Sequence, residues 1–182
     1  MLVLMEYLKK MRGTTKSPPA VGKGEILWSW VGAFLGIAPV AFIDSDLLAA
    51  TDQVMIIGSF GASAVLIYGA IKSPLAQPRN LIGGHVISAL IGVTSYQILH
   101  GHVWLSASIA VATAIAVMHV TKTLHPPGGA TALIAVIGSP KIHELGYLYV
   151  IMPVGLGVII MLFVALVVNN FSRDRRYPEF WW

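Results

Sequence analysis

The chain has 182 residues, of which 56% are hydrophobic and 11% charged, with a formal net charge of +4. Charged residues usually make up about 25% of a soluble chain. With a mean hydropathy of +0.76, this composition describes an integral membrane protein. The absence of cysteine excludes disulfides, thiolate metal sites and cysteine catalysis. The basic residues cluster outside the apolar runs, so they report topology and not nucleic-acid binding.

In chain order, residues 1–11 read as an amphipathic surface helix that ends in Lys9, Lys10 and Arg12. A Pro/Gly/Lys linker follows to Lys23. Residues 1–23 therefore read as an arm and linker, and 24–182 as the transmembrane domain. Six apolar segments can be marked there, at residues 26–43, 54–71, 81–99, 103–120, 128–138 and 145–168. All but the fifth approach spanning length. The loops alternate in charge. Lys9, Lys10, Arg12, Lys16 and Lys23 precede the first segment, and Asp44, Asp46 and Asp52 follow it. The second loop holds Lys72 and Arg79; the third, His100-Gly101-His102, has no Lys or Arg. Lys122 lies in the fourth, Lys141 in the fifth, and Arg173, Arg175 and Arg176 in the tail. Only Lys141 is out of place for six crossings with both termini cytoplasmic. The three aspartates read as a solvated outer loop.

The fifth segment is the unusual one. It is entered through His125-Pro126-Pro127-Gly128-Gly129-Ala130-Thr131. Paired prolines break a helix but suit its first turn. The apolar helix from Gly128 to Gly138 would be ~16 Å long, about half of a ~30 Å hydrocarbon core. A half-helix of this kind presents a positive dipole end inside the membrane, which suits a small anion. Gly61-Ala62-Ser63-Ala64-Val65 resembles Gly129-Ala130-Thr131-Ala132-Leu133, and a Ser-Pro pair follows each. Small residues are common in membrane helices, so chance is the competing explanation. Read as a repeat, the match implies two three-segment halves, the second inverted, with broken helices at Ser59-Phe60-Gly61 and at His125–Gly129. The expected fold is thus all-α, a polytopic membrane helix bundle of about six segments with a 3+3 inverted repeat.

The run from Leu124 to Leu133 resembles the signature of the HPP family of integral membrane proteins. So do Ser73-Pro74-Leu75-Ala76-Gln77-Pro78-Arg79-Asn80 with Gly84-His85, and the tail with Asn169-Asn170, Arg176-Tyr177-Pro178 and Trp181. The resemblance implies four or five spanning helices. It also implies nitrite as a substrate, since members in cyanobacteria and chloroplasts are associated with nitrite transport. The expected location is a prokaryotic inner membrane, crossed several times.

The site is expected where the two half-helices meet. Backbone N–H groups of Gly129, Ala130 and Thr131 would hold a small inorganic anion, with His125 beside it and Ser59, Gly61 and Ser63 across from it. His125 either lines the pathway or caps the broken helix through a carbonyl. Gly128 and Gly129 allow either backbone approach to the anion or tight helix packing. The hydroxyls of Ser59, Ser63 and Thr131 either reach the anion or bond back to their own helix. Arg79, Asn80, His85 and Lys122 read as gating or pathway residues, and His119 as a satisfied interior histidine. No metal or cofactor is expected, because the six histidines are scattered and no metal-binding histidine box is present. An anion transporter or channel is favoured over a membrane-embedded enzyme or a purely structural protein. The small size favours a homo-oligomer in the lipid bilayer.

Overall fold

In the computed structural model, residues 2–11, 14–48 and 54–182 are described. Arg12 and Asp52 lie outside them. The surface arm is α1 (Leu2–Lys10), with Lys9 and Lys10 in its last turn. Among the described residues, four helices are long and apolar enough to cross a membrane: α2 (Lys23–Leu47), α4 (Pro78–Leu99), α5 (Val103–Val120) and α8 (Val150–Phe171). Two apolar helices are shorter, α3 (Ser59–Gly69) and α6 (Pro126–Ile137). A six-residue helix, α7 (Pro140–Leu145), lies between α6 and α8. The all-helical membrane bundle read from the sequence is therefore present. The last apolar segment is shifted a few residues along the chain, because α7 ends at Leu145 and a turn at Gly146 and Tyr147 precedes α8.

The order long, short, long occurs twice, as α2-α3-α4 and α5-α6-α8. Side-chain contacts give the directions. Thr131 Oγ1 lies 2.9 Å from Ser59 Oγ, while Ser63 Oγ meets His125 Nε2 (3.0 Å), so α3 and α6 are antiparallel. A Cβ on Gly128 would meet Gly84, and one on Gly92 would meet Ala132, so α4 and α6 are parallel. Ser95 donates to the Ser106 carbonyl at 2.8 Å and Ser88 to Met118 Sδ at 3.7 Å, so α5 is antiparallel to α4. Asn169 donates to the Ile67 carbonyl at 2.8 Å, and Gly157 abuts Phe60, so α8 runs with α3. The second triplet thus runs opposite to the first, as an inverted repeat requires.

Tyr68 fills the space between α2 and α8 and donates to the Met161 carbonyl at 2.9 Å. Gly32 and Gly36 leave room for its ring, since a Cβ on either would run into it. At the end of the bundle that carries both termini, Arg175 is only 6% exposed. Its guanidinium donates to Glu25 Oε2 (3.0 Å) and Oε1 (2.6 Å), Ser29 Oγ (2.8 Å) and Asn169 Oδ1 (3.0 Å). This bidentate clasp ties the tail to the start of α2. Asp44 is not part of a purely solvated loop. Its Oδ1 accepts the N–H groups of Met55 (2.6 Å) and Ile56 (3.0 Å), where the chain turns back into the bundle. His119 is exposed on α5 and is not an interior histidine, because it lies at the open groove between α5 and α6.

Removing one partner of a buried ion pair leaves the other charge without compensation. Glu25→Ala, which leaves the buried Arg175 guanidinium without its carboxylate, should therefore destabilise the purified protein by about 3 kcal/mol. Adding Arg175→Ala should cost little more. Thermal unfolding in detergent of the two single variants and the double variant checks this.

Candidate functional site

The site is built by two interruptions of the helical backbone. Residues 54–58 enter the bundle without helical structure, and α3 begins only at Ser59, level with Thr131 in the middle of α6. Residues 123–125 are likewise extended before α6 starts at Pro126. Because α3 and α6 run in opposite directions, their first turns overlap side by side. His85, about two turns into α4, projects between them.

These elements bring five buried polar side chains into one hydrogen-bonded network. Ser63, His85, His125 and Thr131 are 0% exposed and Ser59 is 1% exposed. Ser63 Oγ lies 2.7 Å from His85 Nε2 and 3.0 Å from His125 Nε2. His85 Nδ1 lies 2.7 Å from Thr131 Oγ1. His125 Nδ1 reaches the Leu75 carbonyl at 2.7 Å. The imidazole centroids are 5.1 Å apart, and the Phe60 ring stands edge-on to His85 at 5.8 Å. Tyr149 donates to the Thr131 carbonyl at 3.1 Å. Ser63 and Thr131 are equivalent positions in the short sequence match, and they clasp His85 from opposite ring nitrogens.

The remaining residues singled out from the sequence lie elsewhere. At the start of α6, Pro126 and Pro127 have no N–H, and the Gly128 N–H is bonded to the His125 carbonyl at 2.8 Å. The N–H groups of Ala130 and Thr131 belong to the helical ladder. This end of α6 therefore acts through side chains. Gly128 is a packing residue: a Cβ there would lie 2.7 Å from the Gly84 carbonyl oxygen and 2.8 Å from Ser88 Oγ. Gly129 and Ala130 face away from the network, into an apolar groove of about 560 Å³ between α5 and α6. Gly61 has no neighbour within 4 Å of a built Cβ. Asn80 donates to the Leu124 carbonyl at 2.9 Å and so pins the entry to α6. Arg79 lines a hollow of about 180 Å³ with Trp181 and Trp182 at the end of the bundle that carries the termini. Lys122 is exposed there, with φ +57° in the turn after α5.

Three features were not visible in the sequence. His85 is the centre of the network. The Leu75 carbonyl is its outer partner. Tyr149 buttresses it from outside both short helices. The sequence signals for His85 were its place in the Gly84-His85 pair and its position as an ionisable residue inside the third segment.

The three motif stretches converge here. His125 bonds Leu75, Tyr177 donates to the Ala76 carbonyl at 2.7 Å, and Gln77 Oε1 accepts the Glu179 N–H at 2.8 Å. Over residues 18–178 the sequence matches the family described as HPP, transmembrane region. The chain belongs to the HPP transmembrane family. It is 45% identical over 184 residues to a Dictyostelium discoideum protein named only as a transmembrane protein, covering 100% of this chain and 59% of that one. A second such Dictyostelium protein is 46% identical over 187 residues, covering 100% of this chain and 65% of its own length. This HPP chain thus spans less than two thirds of these curated relatives. No solved structure matches it.

The packing geometry separates the two glycines of this HPP motif. Gly128→Ala should cost about 1–3 kcal/mol by overpacking against α4. Gly129→Ala should cost nothing measurable, because its nearest neighbour, Val111 Cγ1, is 3.9 Å from the built Cβ. Thermal unfolding of both variants checks the contrast.

Proposed function

We propose that this protein moves a small monovalent anion across the membrane, with nitrite as the first substrate to test. One observation carries the reading: a buried Ser/His/Thr cluster lies where two oppositely running half-helices overlap. Polar groups at membrane depth are costly and are retained chiefly for function. Helices broken at that depth favour a pathway, since irregular backbone is tolerated there only within protein or beside a water-filled cavity.

The chemistry of the cluster favours an anion. Its side chains offer O–H and imidazole N–H donors. Among the described residues, no carboxylate is hydrogen-bonded to it. In the closed arrangement these donors serve one another. An anion entering between α3 and α6 would take hydroxyl hydrogens from Ser59, Ser63 and Thr131 and an N–H from one imidazole. Those bonds, with the positive ends of two helices nearby, offset much of its lost hydration. Without a fixed cation bonded to the cluster, a single negative charge is the most it would hold. Nitrite is supported by the resemblance to cyanobacterial and chloroplast HPP proteins associated with nitrite transport. The same reading sets both termini in the cytoplasm, supported by Lys16 and Lys23 before α2 and by Arg173, Arg175 and Arg176 after α8.

Uptake into proteoliposomes tests the proposal, with nitrite compared against nitrate, formate, bicarbonate and chloride. Protein-dependent uptake of nitrite above the others is expected. Thr131→Val should raise KM roughly tenfold, the effect of losing one hydrogen bond to a charged group. Absence of uptake of every anion by a folded protein would refute the reading.

A further inference from the structure

We propose that Ser63 relays a proton between His85 and His125, so that the carrier is coupled to a proton gradient. This rests on the transport reading above and names its coupling ion.

The hydrogen-bond polarity carries the argument. The Leu75 carbonyl can only accept, so His125 Nδ1, 2.7 Å away, carries a hydrogen. In neutral His125, Nε2 is then an acceptor, and the Ser63 hydroxyl donates to it at 3.0 Å. Ser63 Oγ in turn accepts from His85 Nε2–H at 2.7 Å. His85 Nδ1 accepts from the Thr131 hydroxyl at 2.7 Å. The four bonds along the chain from Thr131 to Leu75 are made and point the same way, with the single Thr131 hydrogen committed to His85.

Now add one proton at His85 Nδ1. His85 passes its Nε2 proton to Ser63, and Ser63 passes its own to His125 Nε2. One N–H bond forms at each imidazole, one N–H and one O–H break and the O–H is remade, and no electrons are transferred. His125 is now the imidazolium, donating to Leu75 and to Ser63. Ser63 donates back to His85 Nε2, and His85 Nδ1–H donates to Thr131. The Thr131 hydroxyl must then turn away, and two acceptors stand ready: Ser59 Oγ at 2.9 Å and the Pro127 carbonyl at 3.2 Å. The reversed chain is again complete.

The surroundings allow one excess proton and no more. The two rings, 5.1 Å apart, would repel if both were charged. Beside the rings are the Phe60 ring from α3 and the Leu75 carbonyl, and the Tyr149 hydroxyl is bonded to the Thr131 carbonyl. Tyr177 is bonded to the neighbouring Ala76 carbonyl. Among the described residues, no carboxylate, ammonium or guanidinium bonds either ring, so nothing fixed neutralises a second charge.

The test uses the full chain in sealed vesicles, with nitrite uptake measured with and without an imposed pH gradient and corrected for protein-free vesicles. The gradient should raise uptake by the wild type. Ser63→Ala should lose that increase, and Ser63→Thr, which keeps the hydroxyl, should retain it. Protein-dependent uptake that ignores the gradient overturns the relay and leaves the transport reading standing. A second measurement needs no transport at all. With ¹⁵N-labelled imidazoles, neutral wild-type protein should show His85 as the Nε2–H tautomer and His125 as the Nδ1–H tautomer, and uptake of one proton should switch His85 to Nδ1–H while His125 becomes the imidazolium; Ser63→Ala should abolish the switch. A wild-type His85 that keeps its Nε2–H tautomer when His125 is protonated overturns the relay even if no anion is carried.

Discussion

Backbone that leaves a helix at membrane depth must find its hydrogen-bond partners inside the protein, because the hydrocarbon offers none. The chain meets this constraint at two places, and much of its polar sequence serves them. Where residues 54–58 descend toward α3, the Asp44 carboxylate takes two N–H groups, and the N–H groups of Phe60 and Gly61 fold back onto the carbonyls of Ile57 and Gly58. Before α6 the device differs. Two prolines remove two donors outright, the Gly128 N–H returns to the His125 carbonyl, and Asn80 takes the Leu124 carbonyl. The His-Pro-Pro-Gly run is therefore a way of starting a helix inside the membrane with few orphan donors. What remains polar there is side chain, and the side chains find one another.

The rest of the molecule holds that arrangement. The turn at residues 73–77 presents the Leu75 carbonyl to His125 and is itself gripped from both sides. Gln77 donates to the Ile71 (2.9 Å) and Ser73 (2.8 Å) carbonyls, while Tyr177 from the tail donates to Ala76. The tail is secured by the Arg175 clasp to α2. A chain of contacts thus runs from the end of the protein to the outer bond of the histidine pair. Close helix approach at Gly84, Gly92 and Gly128 brings α4 and α6 together, which is what lets an imidazole on α4 reach hydroxyls on both short helices.

Much of this architecture was legible in the sequence, for physical reasons. The apolar runs and the alternation of basic loops follow from the bilayer itself, and paired prolines announce a helix start. The short match of Gly61–Val65 with Gly129–Leu133 carried real three-dimensional content: Ser63 and Thr131, its two hydroxyl positions, flank the same histidine. The site was less legible. Proximity between α4 and the two short helices depends on long-range packing that no local pattern encodes, so His85 read as a gating or pathway residue and its bonds to Ser63 and Thr131 went unseen. Gly129 and Ala130 read as anion ligands because a helix N-terminus was assumed to have free donors. The prolines and the Gly128 turn use up that freedom, and those two residues face the α5 groove. Arg175 read as one topogenic charge among three, yet it is the buried one, and only its partners Glu25, Ser29 and Asn169 reveal that.

The central claim is that a small anion occupies the space between Ser63, His85, His125 and Thr131 by replacing the bonds these residues make to one another. A direct contact measurement tests it. The reconstituted protein, with ¹³C-labelled histidine rings, is loaded with ¹⁵N-nitrite, and dipolar dephasing between nitrite and ring carbons is recorded by solid-state NMR. The account predicts dephasing of His85 and His125 that is lost in Thr131→Val, with the exposed His100, His102 and His119 unaffected. Nitrite uptake by the same preparation without dephasing at either buried ring would contradict it.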